Sequence, residues 1–349
     1  MNSHFYNVMH VVRKLNKLSI KNIIPLKYPD PKRMSTKSKL LKEDCLLAKC
    51  KQLPPPLSQD KHKGEAGRIG VFGGSLEYTG APYYAAITSL KVGADLVYVF
   101  CMKDAATVIK TYSPELIVLP FLDHKEAAAK IEPWLDRLHV VLIGPGLGRD
   151  EPTFNVIKQV INSCKKLKKP MVIDADGLFL LSKDINLIKD YPNKLILTPN
   201  IVEFSRLVGS ADKQKYRSNS AKLFDLCSNL TVLVKGQEDL IFDKMVEARV
   251  TGSGSGRRSG GQGDLLAGAI STFLAWSMQK EVSAECEDTY DDRALVATFA
   301  ACKLVRECNR LAFSKLGRSM TALDMTHEIH TVFDYYFENK KNAIGSVFD

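Results

Sequence analysis

The chain has 349 residues, 45% hydrophobic and 25% charged, an ordinary globular balance. No run reaches the ~18 apolar residues of a membrane span. The net charge of +10 suggests a nucleic-acid binder until it is located: residues 1–42 carry ten Lys/Arg against Asp30 alone, which is +9 and leaves +1 for all that follows. A nearly neutral body offers no basic groove for nucleic acid.

Residues 1–52 read as a basic leader. They are acid-poor and hydroxyl-bearing, with Val8, Val11, Val12, Leu15 and Leu18 at helix-like spacing. That pattern suits a mitochondrial transit peptide or a disordered tail with no address. Met34 offers a second start that would give a cytosolic form. Pro54-Pro-Pro56 marks the boundary, and residues 53–349 read as one domain. The eight cysteines are scattered, with no C-x-x-C pair and no zinc spacing. They suit a reduced compartment and a chain that holds no transition metal of its own.

Beyond the prolines, short β-rich runs alternate with helical ones. Strands are predicted over 68–72, 95–100, 138–143, 170–174, 195–197 and 231–235, with shorter ones over 238–242 and 248–251. Helices are predicted over 81–93, 153–165, 200–208 and 265–276. Such alternation gives βαβ units: an α/β fold with a doubly wound, mostly parallel sheet and helices on both faces. The acidic stretch 281–292 reads as a solvated loop.

Unusual residues fall where predicted strands end, as the ligand crevice of a doubly wound sheet requires. Gly73-Gly-Ser75 follows the first strand and Gly144-Pro-Gly-Leu-Gly148 the third. The latter is spaced G-x-G-x-G and does not open a helix, so it is no dinucleotide fingerprint. It reads as bare backbone for a ligand to lie on, or as a tight strand exit. Asp174-Ala-Asp176 pairs two acids, either to hold Mg²⁺ through water or with Asp176 capping the next helix. Asn200 and Glu203 have the spacing of a capping box, which also aligns Asn200, Glu203 and Arg206 on one face. Lys235 ends a β-branched strand as a point charge for phosphate or ribose.

The richest stretch is Gly254-Ser-Gly-Arg-Arg-Ser-Gly-Gly-Gln-Gly-Asp264, directly ahead of an apolar helical run. Seven of residues 254–263 are Gly or Ser, which lets backbone N–H groups converge at the positive end of a helix, where an anion binds. A carboxylate there would normally repel that anion. Asp264 therefore reads as a base that takes a proton from a hydroxyl attacking phosphorus, against the plainer reading of a helix cap. There is no G-x-x-x-x-G-K-[ST], so this is not a P-loop.

With His62-Lys-Gly64, Gly67-Arg-Ile-Gly70, Tyr78-Thr-Gly-Ala-Pro82 and Tyr112-Ser-Pro-Glu-Leu116 added to these motifs, the chain resembles the ATP-dependent (S)-NAD(P)H-hydrate dehydratases of the ribokinase-like superfamily over residues 53–340. The resemblance implies that ATP phosphorylates the C6 hydroxyl of hydrated NADH or NADPH. Phosphate then leaves and NAD(P)H is restored. It implies Asp264 as the base and a hydrate site of Ala81, Gly146, Gly148, Asn200, Ile201, Val202, Glu203, Phe204, Ser205, Arg206 and Asp264. It implies an ATP site of Lys235, Gly236, Gln237, Glu238, Asp239, Gly254, Ser255, Gly256, Arg257, Arg258, Ser259, Gly260, Gly261, Gln262 and Gly263. Mg²⁺ would bridge phosphate oxygens, without a dedicated protein metal site. A kinase of the same superfamily that releases a stable phosphate ester stays open, as do a binding module without turnover and a homo-oligomeric state.

Overall fold

The computed structural model of the protein describes residues 39–210, 216–279 and 293–338. Most of the basic leader and the acidic stretch 281–292 lie outside the described residues.

Ten strands form one sheet: β1 (Lys39–Leu40), β2 (Arg68–Phe72), β3 (Leu96–Phe100), β4 (Ile117–Leu119), β5 (Val140–Ile143), β6 (Met171–Ile173), β7 (Leu195–Leu197), β8 (Leu230–Val234), β9 (Asp239–Phe242) and β10 (Val246–Val250). Their order is β1-β10-β9-β8-β7-β6-β5-β2-β3-β4. Every neighbouring pair is parallel except the two that β9 makes, with β8 and β10. The helices are α1 (Glu43–Cys50), α2 (Gly80–Val92), α3 (Lys103–Tyr112), α4 (Ala127–Leu135), α5 (Glu151–Lys166), α6 (Ala175–Lys183), α7 (Ile201–Val208), α8 (Tyr216–Leu226), α9 (Gln262–Gln279), α10 (Arg293–Leu316), α11 (Ala322–His327) and α12 (Ile329–Tyr336).

The inner strands are apolar on both faces because both faces are covered. Along β5, Val140 and Leu142 enter the core under α2, α9 and α10, while Val141 and Ile143 enter the core under α4, α5 and α6. Each such side chain contributes about 1.5–3 kcal/mol by leaving water. The helix α9 is buried from Leu265 to Ser277 and meets α2 backbone to backbone at Gly268. A Cβ on Gly268 would stand 2.1 Å from the Ala85 carbonyl oxygen. Ser89 Oγ donates to the Gly268 carbonyl at 3.0 Å, and Thr272 Oγ1 to the Ser89 carbonyl at 3.1 Å.

The body begins earlier than Pro54. In α1, inside the stretch read as leader, Leu46 and Cys50 are only 2% and 1% exposed. The Cys50 thiol faces the Val296 carbonyl on α10 at 3.7 Å. Eight residues with two buried positions are too short for periodicity to reveal. The three-residue β4 was also missed. Seven described cysteines are free, six of them buried. Among the described residues no helix is long and apolar enough to cross a membrane.

Candidate active site

The strand order reverses between β2 and β5, and the carboxyl ends of those two strands open the crevice. The Gly74 N–H donates to the Gly146 carbonyl at 3.0 Å, joining the two exit loops. Glycine at 144 answers to the protein's own backbone. Its φ is +126°, and a Cβ there would meet the Asp174 carbonyl oxygen at 1.8 Å. The expectation that this glycine bares backbone for a ligand gives way to loop-on-loop packing. Gly146 lies against Tyr78 and Ala81, and Gly148 against Ser75, so Ala81, Gly146 and Gly148 are brought together.

The next strand ends supply charge. Asp174, 2% exposed, accepts from Lys235 Nζ at 2.7 Å and from Thr198 Oγ1 at 2.8 Å. Asp176 accepts from Arg149 Nε at 2.8 Å and from the Gly148 N–H at 3.2 Å. Each carboxylate is thus braced by a cation, Asp174 by Lys235 and Asp176 by Arg149. Asp174, not Asp176, stands at the N-cap position of α6, and its side chain makes no cap bond. Among the described residues no cluster of three His, Cys, Asp or Glu is placed to hold a metal by itself.

The capping box at α7 is present. Asn200 Oδ1 accepts from the Val202 and Glu203 N–H groups at 2.9 and 3.0 Å, and Glu203 accepts from the Asn200 N–H at 2.8 Å. Burial raises the Glu203 carboxyl above its usual range, despite Lys235 nearby. The α7 candidates divide. Val202 is 63% exposed, whereas Phe204 is 1% exposed and packs edge-on to Tyr216 and Phe242. Phe204 is a core residue, and only its backbone is left for a ligand. Ser205 Oγ donates to the Ile201 carbonyl at 2.8 Å. The Arg206 guanidinium lies 5.5 Å from the Phe179 ring centre.

A cleft of about 480 Å³ opens beside α7, bounded by Ile201, Tyr216, Val234, Lys235, Gly236, Gln237, Glu238, Asp239, Leu240 and Arg249. Asp239 is not a free acid on its wall. It is 6% exposed and receives Arg306 Nε at 2.6 Å and the Gly236 N–H at 3.1 Å. Across from this turn, residues 254–261 form a loop held largely by its own bonds. Arg258 Nη1 donates to the Ser255 carbonyl at 3.1 Å, and Gln262 Nε2 to Ser259 Oγ and the Arg257 carbonyl at 3.0 and 3.1 Å. The Arg257 side chain turns to the Met320 carbonyl at 3.3 Å. Ser255 is tied to Asn309 of α10, its N–H donating to Asn309 Oδ1 at 2.6 Å.

The loop delivers Gly263 and Asp264 into the first turn of α9, and the Lys235 ammonium stands 3.6 Å from where a Gly263 Cβ would be. Burial and then the charge of Asp174 push the Asp264 carboxyl up to about 7, with Lys235 opposing. Burial also opposes the Lys235 charge, yet Asp174, Glu203 and Asp264 together hold its pKa above the ordinary value. One ammonium thus serves several carboxylates. Tyr84 also belongs here, although the motif reading passed over it: a Cβ on Gly261 would meet its ring at 2.9 Å. Its phenol is raised by burial, with Tyr112, Asp324 and Asp264 adding to the shift.

A family profile described as NAD(P)H-hydrate dehydratase matches residues 69–331. An Aedes aegypti protein named ATP-dependent (S)-NAD(P)H-hydrate dehydratase is 53% identical over 298 residues, 85% of this chain and 86% of its own. One of that name from Mus musculus is 47% identical over 293 residues, 82% and 84% of the two chains. The fold is also that of the ADP/ATP-dependent NAD(P)H-hydrate dehydratase from Bacillus subtilis, co-crystallised with ATP/Mg²⁺: TM-score 0.63 at 20% identity, over 86% of this chain and 100% of that one. A ribokinase-like superfamily protein from Enterococcus faecalis aligns with TM-score 0.67 at 24% identity, over 86% and 96%. With a family profile over most of the chain and a relative identical at half its positions, on a sheet with the ribokinase-like fold, the chain belongs to the ATP-dependent (S)-NAD(P)H-hydrate dehydratases.

Proposed function

We propose that this chain repairs hydrated nicotinamide cofactors: it converts the (S)-hydrate of NADH or NADPH to NAD(P)H with hydrolysis of ATP to ADP and phosphate. The observation that carries the reading is Asp264, an acid near 7 in the first turn of α9 behind a glycine-rich loop. A general base works best with a pKa near the operating pH. Asp264 takes the proton of the C6 hydroxyl. That oxygen attacks the γ-phosphorus, and the bond to ADP breaks. The ring nitrogen then drives out phosphate by breaking the C6–O bond, and loss of the C5 proton restores the dihydropyridine.

The N–H groups of Gly261, Gln262 and Gly263, with the positive end of α9, would stabilise charge on the transferred group. The 235–239 turn and the 254–261 loop would hold ATP. Ala81, Gly146, Gly148 and the exposed face of α7 would receive the hydrate. Magnesium would enter on the triphosphate and offset the excess of acid around Lys235. The basic, acid-poor leader supports a mitochondrial address, and a start at Met34 a cytosolic form.

The test is recovery of reduced-nicotinamide absorbance from hydrated NADH with Mg-ATP, with ADP followed in parallel. Recovery matched one-to-one by ADP is expected. ADP release without recovery would replace the lyase with a kinase of another alcohol.

A further inference from the structure

The nucleotide reading names two segments, 235–239 and 254–263. Each has bonds within itself, which shape the segment but do not fix it to the rest of the fold. Both are tied to one turn of α10 that no motif points to. Arg306 sends Nε to Asp239 Oδ2 at 2.6 Å, Nη1 to the Gln237 carbonyl at 2.9 Å and Nη2 to the Gly236 carbonyl at 3.0 Å. A planar guanidinium is shaped to fill such a fork, and an ammonium is not. Asp239 completes the knot by accepting from the Gly236 N–H.

Three residues on, and so on the same side of the helix, Asn309 is 4% exposed. Its Oδ1 accepts from both the N–H and the hydroxyl of Ser255, at 2.6 and 2.7 Å. Ser255 Oγ then accepts from the Arg257 N–H at 3.2 Å. Between them, Glu307 accepts from the Ser253 hydroxyl. One helical turn therefore grips both walls. The same helix packs along α9, which carries Asp264.

We infer that Arg306 and Asn309 are positioning residues for ATP: from α10 they fix the 235–239 turn and the 254–261 loop at the separation the nucleotide needs, without touching the reacting atoms. The inference rests on the ATP reading above. It predicts a selective defect. Loosening either wall leaves the hydrate site on α7 and the β2–β5 exits as they are.

The experiment is steady-state kinetics of the full-length protein with Arg306→Lys and, separately, Asn309→Ala. ATP is varied at saturating NADH hydrate, and hydrate at saturating ATP. Melting curves confirm that each variant is folded, and Arg306→Lys keeps a cation beside Asp239 should Asn309→Ala fail to fold. The expected result is a KM for ATP raised on the order of tenfold or more, as small displacements of binding groups produce. The KM for hydrate should stay within about twofold and kcat within about threefold, since the reacting groups are untouched. A variant whose two KM values rise together, or which melts earlier with its ATP KM unchanged, would overturn the inference. A wild-type protein that restores NADH without any dependence on ATP would overturn the functional reading itself, and this inference with it.

Discussion

The two ends of the sheet bury charge in opposite ways. At the carboxyl ends, Asp174, Glu203 and Asp264 share one ammonium, that of Lys235, and burial raises both Glu203 and Asp264. At the amino ends the perturbed groups are basic. Arg68 sends Nε to the Arg137 carbonyl at 2.6 Å and Nη2 to His139 Nε2 at 2.8 Å. Lys169 sends Nζ to the carbonyls of Asp136 and Leu138, both at 2.9 Å. Burial lowers His139 and Lys169, the mirror image of the acids. The difference lies in the partners. Amino-end cations bond backbone carbonyls and finish loops, whereas the carboxyl-end acids outnumber the ammonium they share. The second arrangement costs folding energy and keeps a proton acceptor in reserve. A cluster of perturbed groups becomes a site only when its charge is left unbalanced in a crevice.

The largest effect that tests this contrast is expected from Asp264→Asn. Turnover should fall by about 10²–10⁴-fold, the usual worth of a general base, with ATP binding kept. The sign for stability is opposite. An acid whose folded pKa lies near 7, above its unfolded value, stabilises the fold below the unfolded value and loses that contribution as pH rises through 7. Asparagine should thus raise Tm at pH ~8 by a few degrees, raise it less at pH ~5, and leave it unchanged only below the unfolded value. Unchanged turnover would remove Asp264 from the chemistry. An unchanged Tm at alkaline pH would remove the charge crowding.

The second test uses pH. With hydrate and ATP far below saturation, the rate should climb with pH through about 7 as Asp264 ionises. Lys235→Met removes the charge that opposes this rise in pKa, so the midpoint should move up. The same substitution leaves buried Asp174 without its ion-pair partner, at a cost of about 3–5 kcal/mol. A midpoint that stays put while Tm falls would show Lys235 to serve the fold alone.

The smallest effect belongs to the amino end. Lys169→Met frees two carbonyls of the segment before β5 and should cost about 1–3 kcal/mol, read as an earlier melt, with kcat unaltered. A loss of turnover in this variant would break the division between the two ends.

Much of this was legible in the chain. The inner strands announce themselves as apolar runs, and their ends carry the chemistry, because a doubly wound sheet puts ligands there. Asp264 stands out because an acid ahead of an apolar helix and behind a glycine loop conflicts with any role but base or cap. Pairings across long separations were not legible. Lys235 and Asp174 are 61 residues apart and Arg306 and Asp239 are 67, and nothing local marks either pair. The inward turn of the Phe204 side chain, beside the exposed Val202, was not legible either, since a helix turns each successive residue to another side.

The contact at Gly268 has a mechanical consequence. Asp264 lies one turn before Gly268, and Ala81 one turn before Ala85, the residue Gly268 meets. Asp264 and the proposed substrate loop are therefore mounted on two rods that meet backbone to backbone at this point and are pinned by the Ser89 and Thr272 hydroxyls beside it. A close contact of this kind leaves little room for the two helices to draw nearer. Whatever yields to admit two bulky nucleotides must lie elsewhere, in the loops that face this rigid jaw.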